Sequence, residues 1–356
     1  MGVGPRNARA LVERVDRCEL QQPEHHSNMS SQLAHQVREG VLSPGKPFPL
    51  HHGGKLKTLE IGWRCVGDPT HPIVVALGGI SAHRVVCDHA DPGSGWWRAV
   101  VGPGGPIPSD RYQILSFDYL GGSGLTTGPK DSLAFPSVST FDQAELLQLV
   151  MRHLEIGAIH AFVGASYGGM VGLAFADRHP QLLQRLIVLS AAHRAHPMAT
   201  AWRSVQRRIV RLGDRLGDTR SALALARGLA MSTYRTPEEF LQRFDGEARH
   251  TLEGAVFPVE DYLMARGEQY ASRYAAGSFV TLSESIDLHR VDPTRIPVPV
   301  SALAVSSDQL VPLEDMRQLA ASLPERRLTE IHSIFGHDAF LKEPQQLRPF
   351  FDQSLG

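Results

Sequence analysis

Cysteine is scarce in this chain. Three occur among 356 residues, Cys18, Cys65 and Cys87, and no two form a CxxC pair. So odd and sparse a set offers no disulfide framework and fits a reducing compartment, so a cytoplasmic protein is expected. Excess charge is missing too, with 36 Lys and Arg against 37 Asp and Glu. Without a basic stripe, nucleic acid is not an expected partner. The longest apolar runs have the length of strands, well short of the roughly 20 residues that span a bilayer, so no membrane partner is expected. The opening MGVGPRNARALVERVDRCEL lacks a continuous apolar segment, and Arg6 breaks the myristoylation pattern behind Gly2. Met29 is a second plausible start, which leaves residues 1–28 open as native sequence. Seventeen histidines are present, but none stands in HExxH or beside cysteines, so no metal is expected.

What is there has a strong rhythm. Residues 1–45 are polar and weakly patterned, with one helical stretch at Ala8–Cys18, and read as a poorly ordered extension. KLKTLEIGWRCVG alternates like a half-buried antiparallel strand. HPIVVALGG, YQILSFDYLGGSG, IHAFVGAS and LLQRLIVLSAA are short continuous apolar runs, as fully buried strands are. STFDQAELLQLVMRHLEIG reads as an amphipathic helix capped by Ser139 or Thr140, and YGGMVGLAFADRHP as a helix stopped at Pro180. Strands alternating with helices predict a mostly parallel sheet with helices on both faces, an α/β core over 46–193 and 291–356. Residues 194–290 break the alternation with four helical segments and no buried strand, and read as an inserted helical cap. The sheet then resumes with PVPVSALAVSSD and RRLTEIHSIFGHD, and EPQQLRPFFDQSL closes the chain as a helix.

The chemistry concentrates in GASYGG, Gly164–Gly169, which matches the nucleophile elbow G-x-S-x-G. A serine between a strand and a helix is held on a strained corner. Glycines two residues to either side remove side chains that would collide there. The helix that follows points its amino terminus at the site, and the N–H of Tyr167 is one expected oxyanion donor. A serine needs a base, and the base needs an orienting acid. SSDQLVP places Asp308 just past a buried strand, and FGHDAFL places His337 past the last strand, in the chain order Ser, acid, His. Taken alone, Asp308 reads equally well as a helix N-cap and His337 as a loop histidine. Asp338 is an alternative acid, although adjacent residues rarely point at each other's rings. A second oxyanion donor is expected in LGGISAH, at Gly79 or Ile80, where a plain β-turn is the competing reading.

From about residue 46 to the end the chain resembles the homoserine O-acyltransferase family of the α/β-hydrolase fold. The resemblance rests on the elbow, SSDQLVP, GHDAFL, the paired-tryptophan segment HADPGSGWWRAVVGPGG, and the cap segment LARGLAMSTYRTPEEFLQRF. It implies that Ser166 takes an acyl group from acyl-CoA, that His337 moves its proton and then activates the homoserine hydroxyl, and that Asp308 holds the imidazolium. It also implies that Arg227, helped by Tyr234, grips the amino acid's carboxylate and that Asp338 binds its ammonium. Without that resemblance Arg227 reads as a surface helix arginine. CoA then enters as a co-substrate, no bound cofactor is required, and the expected donor is acetyl-CoA, with succinyl-CoA or a serine acceptor as variants and an esterase as the competing class. Such an enzyme serves methionine biosynthesis. The family commonly pairs as a homodimer through cap helices; Leu223, Leu225 and Leu229 either serve that or pack within the cap. Tyr167 stands where the family usually has methionine, and the asparagine-rich stretch common before Thr-Gly-Pro is replaced by GGSGLTTGP.

Overall fold

The computed structural model describes residues 37–89, 92–129, 132–252 and 254–356. Its centre is an eight-stranded sheet: β1 (Val37–Leu42), β2 (Ile61–Val66), β3 (Ile73–Leu77), β4 (Gln113–Phe117), β5 (Ala161–Ala165), β6 (Leu186–Leu189), β7 (Val300–Val305) and β8 (Arg327–Ile331). The spatial order is β1-β2-β4-β3-β5-β6-β7-β8. Only β2 runs against its neighbours; β4 through β8 pair in parallel with β3 among them. Period-two alternation sends Val75 and Leu77 to one face and Val74 and Ala76 to the other. On the first face lie α1 (Thr140–His153), α2 (Tyr167–Arg178) and α8 (Leu313–Ser322); on the second lie Trp97, Ile107 and α10 (Pro344–Leu355). With both faces covered, central strands such as β5 and β6 are apolar at every position, which is why they read as unbroken apolar runs.

Between β6 and β7 the chain leaves the sheet. It forms α3 (Pro197–Leu216), α4 (Thr219–Tyr234), α5 (Pro237–Phe244), α6 (Pro258–Ala271) and α7 (Ala276–Leu288), with α9 (Ala339–Lys342) following β8. The cap helices share a small apolar cluster of Val210, Leu223, Ala226, Phe279 and Val280. Asp287 on α7 joins α3 through Arg203 at 2.7 Å and Arg207 at 2.6 Å. Leu223 is packed inside this cluster, while Leu225 is exposed and Leu229 half-buried.

Three expectations need correction. Val37–Leu42, assigned above to the extension, is a strand paired with β2, so the sheet begins at Val37; Ala8–Cys18 and Met29 lie outside the described residues. KLKTLEIGWRCVG is not one half-buried strand. Lys55–Leu56 pairs separately with Phe48–Pro49, and in β2 every residue except Arg64 is buried, because β1 and β4 flank it. The cap has five helices where four were expected. The fifth, α7, buries Ser278, Thr281, Ser283 and Ser285, residue types that favour caps and turns in isolation and become helical here through packing. No helix among the described residues is long and apolar enough to cross a membrane.

Candidate active site

The elbow is built by close backbone approach. A Cβ on Gly164 would lie 2.3 Å from the Gly168 carbonyl oxygen, and one on Gly168 would lie 2.3 Å from that of Leu77. Neither position therefore accepts a side chain, and the chain can double back between β5 and α2. Ser166 at the corner has φ 54° and ψ −124°, a conformation costly for any residue with a Cβ. The turn is pinned to the end of β3 by the Gly168 N–H donating to Gly78 O at 2.8 Å, and to β6 by the Ser166 N–H donating to Leu189 O at 2.9 Å.

From that corner Ser166 Oγ lies 2.8 Å from His337 Nε2, and His337 Nδ1 lies 2.7 Å from Asp308 Oδ2. The ring sits in the 3-10 turn Gly336–Asp338, past β8. Asp308 follows β7 and is buried; its Oδ1 accepts the N–H groups of Leu310 at 2.8 Å and Val311 at 3.0 Å. Those two bonds fix the carboxylate so that Oδ2 faces the ring. Asp308 does not cap the helix that follows, whose N-cap is Pro312. Burial alone would lower the His337 pKa; the Asp308 carboxylate outweighs it, and the imidazole is held above its ordinary value. Asp338 points elsewhere, its Oδ2 accepting from Arg235 Nε at 2.9 Å.

Beside the serine, the N–H groups of Tyr167, Gly79 and Ile80 have no acceptor among the described residues, and all three residues line one cavity of about 210 Å³. A Cβ on Gly79 would meet open space, whereas Gly78 is packed against the Trp96 ring. The loop is held from both sides. Tyr119 donates its hydroxyl to Gly78 O at 2.7 Å, and Tyr274 of the cap donates to Ile80 O at 2.6 Å. The Tyr167 ring is buried, with its hydroxyl 2.7 Å from Ser285 Oγ on α7 and 3.3 Å from the donating Gln143 Nε2 on α1. It closes the cavity wall and ties the elbow to the cap.

Arg227 and Asp338 line the same cavity. The Arg227 guanidinium is stacked over Tyr270 at 4.6 Å and over Tyr234 at 5.0 Å, and donates to the Tyr234 hydroxyl at 3.3 Å. No described carboxylate lies within ion-pair distance of it. Burial works against its charge; the two phenols and Asp338 outweigh burial and raise its pKa. Asp338 spends one oxygen on Arg235 and keeps Oδ1 without a partner among the described residues. A fixed cation and a carboxylate thus share the cavity with a nucleophile, a base and free N–H donors, which suits a small zwitterion carrying a reactive hydroxyl.

An alpha/beta hydrolase fold model matches residues 83–344. Homoserine O-succinyltransferase of Xanthomonas campestris is 44% identical over 311 residues, covering 86% of this chain and 82% of its own. The chain belongs to the homoserine O-acyltransferase family, on the α/β-hydrolase fold. Homoserine O-acetyltransferase of Chlorobium chlorochromatii is 28% identical over 355 residues, covering 89% of this chain and 97% of its own. The solved homoserine O-acetyltransferase of Bacillus anthracis shares the fold with a TM-score of 0.80 at 16% identity, covering 90% of this chain and 99% of its own.

Within this family frame, several cavity residues were not singled out from the sequence. Arg194, Arg203 and Gln206 line the cavity on the cap side, with Trp96 opposite. Helical periodicity marks Arg203 only as one of several charged residues on α3. Its inward position is set by Asp287, 84 residues away, to which its Nε donates at 2.8 Å. Arg235, the partner of Asp338, was legible only as part of a cap motif.

Proposed function

We propose that this chain transfers the acyl group of an acyl-CoA to the hydroxyl of L-homoserine through an acyl-Ser166 intermediate. His337 Nε2 takes the Ser166 proton as Oγ attacks the thioester carbonyl. The oxyanion is met by the N–H of Tyr167 and that of Gly79 or Ile80. Collapse breaks the C–S bond, and the imidazolium proton leaves with the CoA thiol. The homoserine hydroxyl then gives its proton to His337 and attacks the ester, and collapse returns the proton to Ser166 Oγ as the O-acyl product departs. Asp308 stabilises each imidazolium.

The observation that carries transfer over hydrolysis is Arg227: a stacked, half-buried guanidinium without a carboxylate, sharing the cavity with Asp338. Water needs no such pair, while an amino acid's two charges do. For the donor, the sequence reading prefers acetyl-CoA. Succinyl-CoA is a second reading, supported by the 44% identity to the homoserine O-succinyltransferase; Arg194 and Arg203 stand in the cavity wall but are already paired with Asp315 at 3.5 Å and Asp287 at 2.7 Å. The test is thiol release from acetyl-CoA and from succinyl-CoA with homoserine, serine or water as acceptor. Release that depends on homoserine supports transfer, and the faster donor decides the acyl group. Release indifferent to any amino acid, with brisk cleavage of simple esters, makes the chain an esterase. A homodimer through the cap fits the exposed row Met198, Val205 and Leu212 on α3, and sedimentation decides it.

A further inference from the structure

A second, larger recess of about 1030 Å³ opens beside the catalytic cavity, and the two share Ser81, Ala82 and Arg227 in their walls. Its lining is strongly basic, with six arginines and a lysine against a single carboxylate, Glu239. The balance is more one-sided than that count. Glu239 is already divided between Arg235 and Arg243, each at 2.9 Å, and Arg84 is neutralised by Asp118 at 2.9 Å. Arg227, Arg266, Arg273 and Lys342 have no ion-pair partner among the described residues. Arg266 donates only to the neutral Gln269. Arg266 and Arg273 come from the cap and Lys342 from α9, so the cations face one another across the gap between cap and core. The chain as a whole is nearly neutral, so this concentration is local.

We propose that this recess holds the phosphate groups of the acyl donor. Arg266, Arg273 and Lys342 would receive a nucleotide's diphosphate and phosphomonoester, while the thioester arm passes Ser81 and Ala82 into the catalytic cavity. The inference rests on the acyl-CoA reading above for the identity of the arm. What the structure adds is where the anionic end sits and which side chains read it. Three unpaired cations at the mouth of a cavity concentrate a polyanion and orient it, an effect that weakens with salt. The partition of labour follows: Arg227 stays free for the acceptor's carboxylate deeper in, because the donor's negative charge is satisfied outside.

The test compares a CoA thioester with the matching pantetheine thioester, which carries the same reactive group and no phosphate. The wild type should show a KM for the CoA thioester at least about tenfold below that for the pantetheine thioester, the gap shrinking as salt rises. The triple variant R266Q/R273Q/K342Q should raise the KM for the CoA thioester about tenfold and leave turnover of the pantetheine thioester within about twofold. Calorimetry of free CoA binding to the same two proteins supplies a readout independent of turnover. Equal KM values for the two thioesters in the wild type, or a triple variant that weakens both alike, overturns the proposal while leaving acyl transfer standing. Conversely, CoA binding that is lost in the triple variant, in a protein that transfers nothing to homoserine, upholds the recess and sinks the transfer reading.

Discussion

Around Ser166 the positioning bonds run through the backbone; around Arg227 they run through side chains. The elbow is held by the N–H groups of Ser166 and Gly168 and by glycines that admit no Cβ, and the Asp308 carboxylate by the Leu310 and Val311 amides. The cap uses Arg203 and Arg207 on Asp287, Arg235 on Glu239 and Asp338, and two phenols on Arg227. Backbone geometry is set by the path of the sheet and changes little with side-chain substitution. A side-chain network can be re-cut one residue at a time. On the proposed route the chemistry is therefore built into the part of the molecule that is hard to alter, and recognition into the part that is easy to alter. Among the connections that cross between them are Tyr167 to Ser285, Tyr274 to Ile80 and Arg235 to Asp338.

If that division holds, damage in the core should strike turnover with every donor and acceptor, and damage in the cap should strike one substrate only. The largest effect is expected from Asp308→Asn. Turnover should fall about 10⁴-fold, as when a triad carboxylate is replaced by an amide that favours the wrong imidazole tautomer. The pH profile adds a check. His337 must be neutral to take a proton, and Asp308 holds its pKa above the ordinary value, so wild-type activity should fall as pH drops through a point above the usual imidazole range. In Asp308→Asn that acidic limb should move to lower pH; a limb that stays put would show that another group controls it. Next comes Arg227→Ala. The KM for homoserine should rise about 50-fold, the worth of a charge-assisted contact of about 2–3 kcal/mol. Rapid-quench measurement of the first thiol released should be unchanged, since on the proposed route acylation precedes the acceptor. A variant that slows this first step equally would break the division between the two regions.

The joint between the regions offers a smaller effect. His289 ends α7, is buried, and has Nδ1 2.8 Å from Thr140 Oγ1 on α1. Burial, with His193 nearby, lowers its pKa to about 3. The native state keeps this ring neutral, while the unfolded chain binds a proton below the ordinary histidine value. Stability from this group is thus complete above about pH 6.5 and is lost as pH falls from there toward 3, by up to about 1.4 kcal/mol per pH unit. Urea midpoints at several pH values should show this slope, and His289→Gln should remove about one proton's share of it. An unchanged slope would mean that the ring is already charged, or that other histidines account for the loss.

What could be read from the sequence follows the same division. β3 and β5 to β7 are covered on both faces, so their apolar runs announce them, and the elbow glycines are dictated by approaches that admit nothing larger. β1 was missed because VREGVL lies at the sheet edge, where three of its residues are exposed and no apolar run survives. α7 was missed because serine and threonine interleave with Phe279, Val280 and Leu282 among its buried residues, so no clean apolar stripe at helical spacing survives. The pairing of Arg235 with Asp338 spans 103 residues, and Arg203 is aimed by a residue from the far end of the cap. Local patterns carry backbone-determined features well. Side-chain networks that close across the fold leave almost no local trace.

The smallest effect tests whether the elbow stores strain. At φ 54° and ψ −124°, Ser166 occupies a region that only glycine enters freely, at a cost of order 1–3 kcal/mol. Ser166→Gly should relieve that strain, with part of the gain offset by the extra freedom glycine gives the unfolded chain, about 0.5–1 kcal/mol. A net stabilisation of about 1 kcal/mol is expected, seen as a higher urea midpoint at unchanged slope. Ser166→Ala supplies the control, because it removes the hydroxyl and its bond to His337 while keeping the Cβ that causes the strain. Alanine should leave stability near that of the wild type, and glycine should exceed both. If the two variants match, the corner is relaxed by its surroundings, and the hydroxyl's position follows from packing by the sheet and α2 alone.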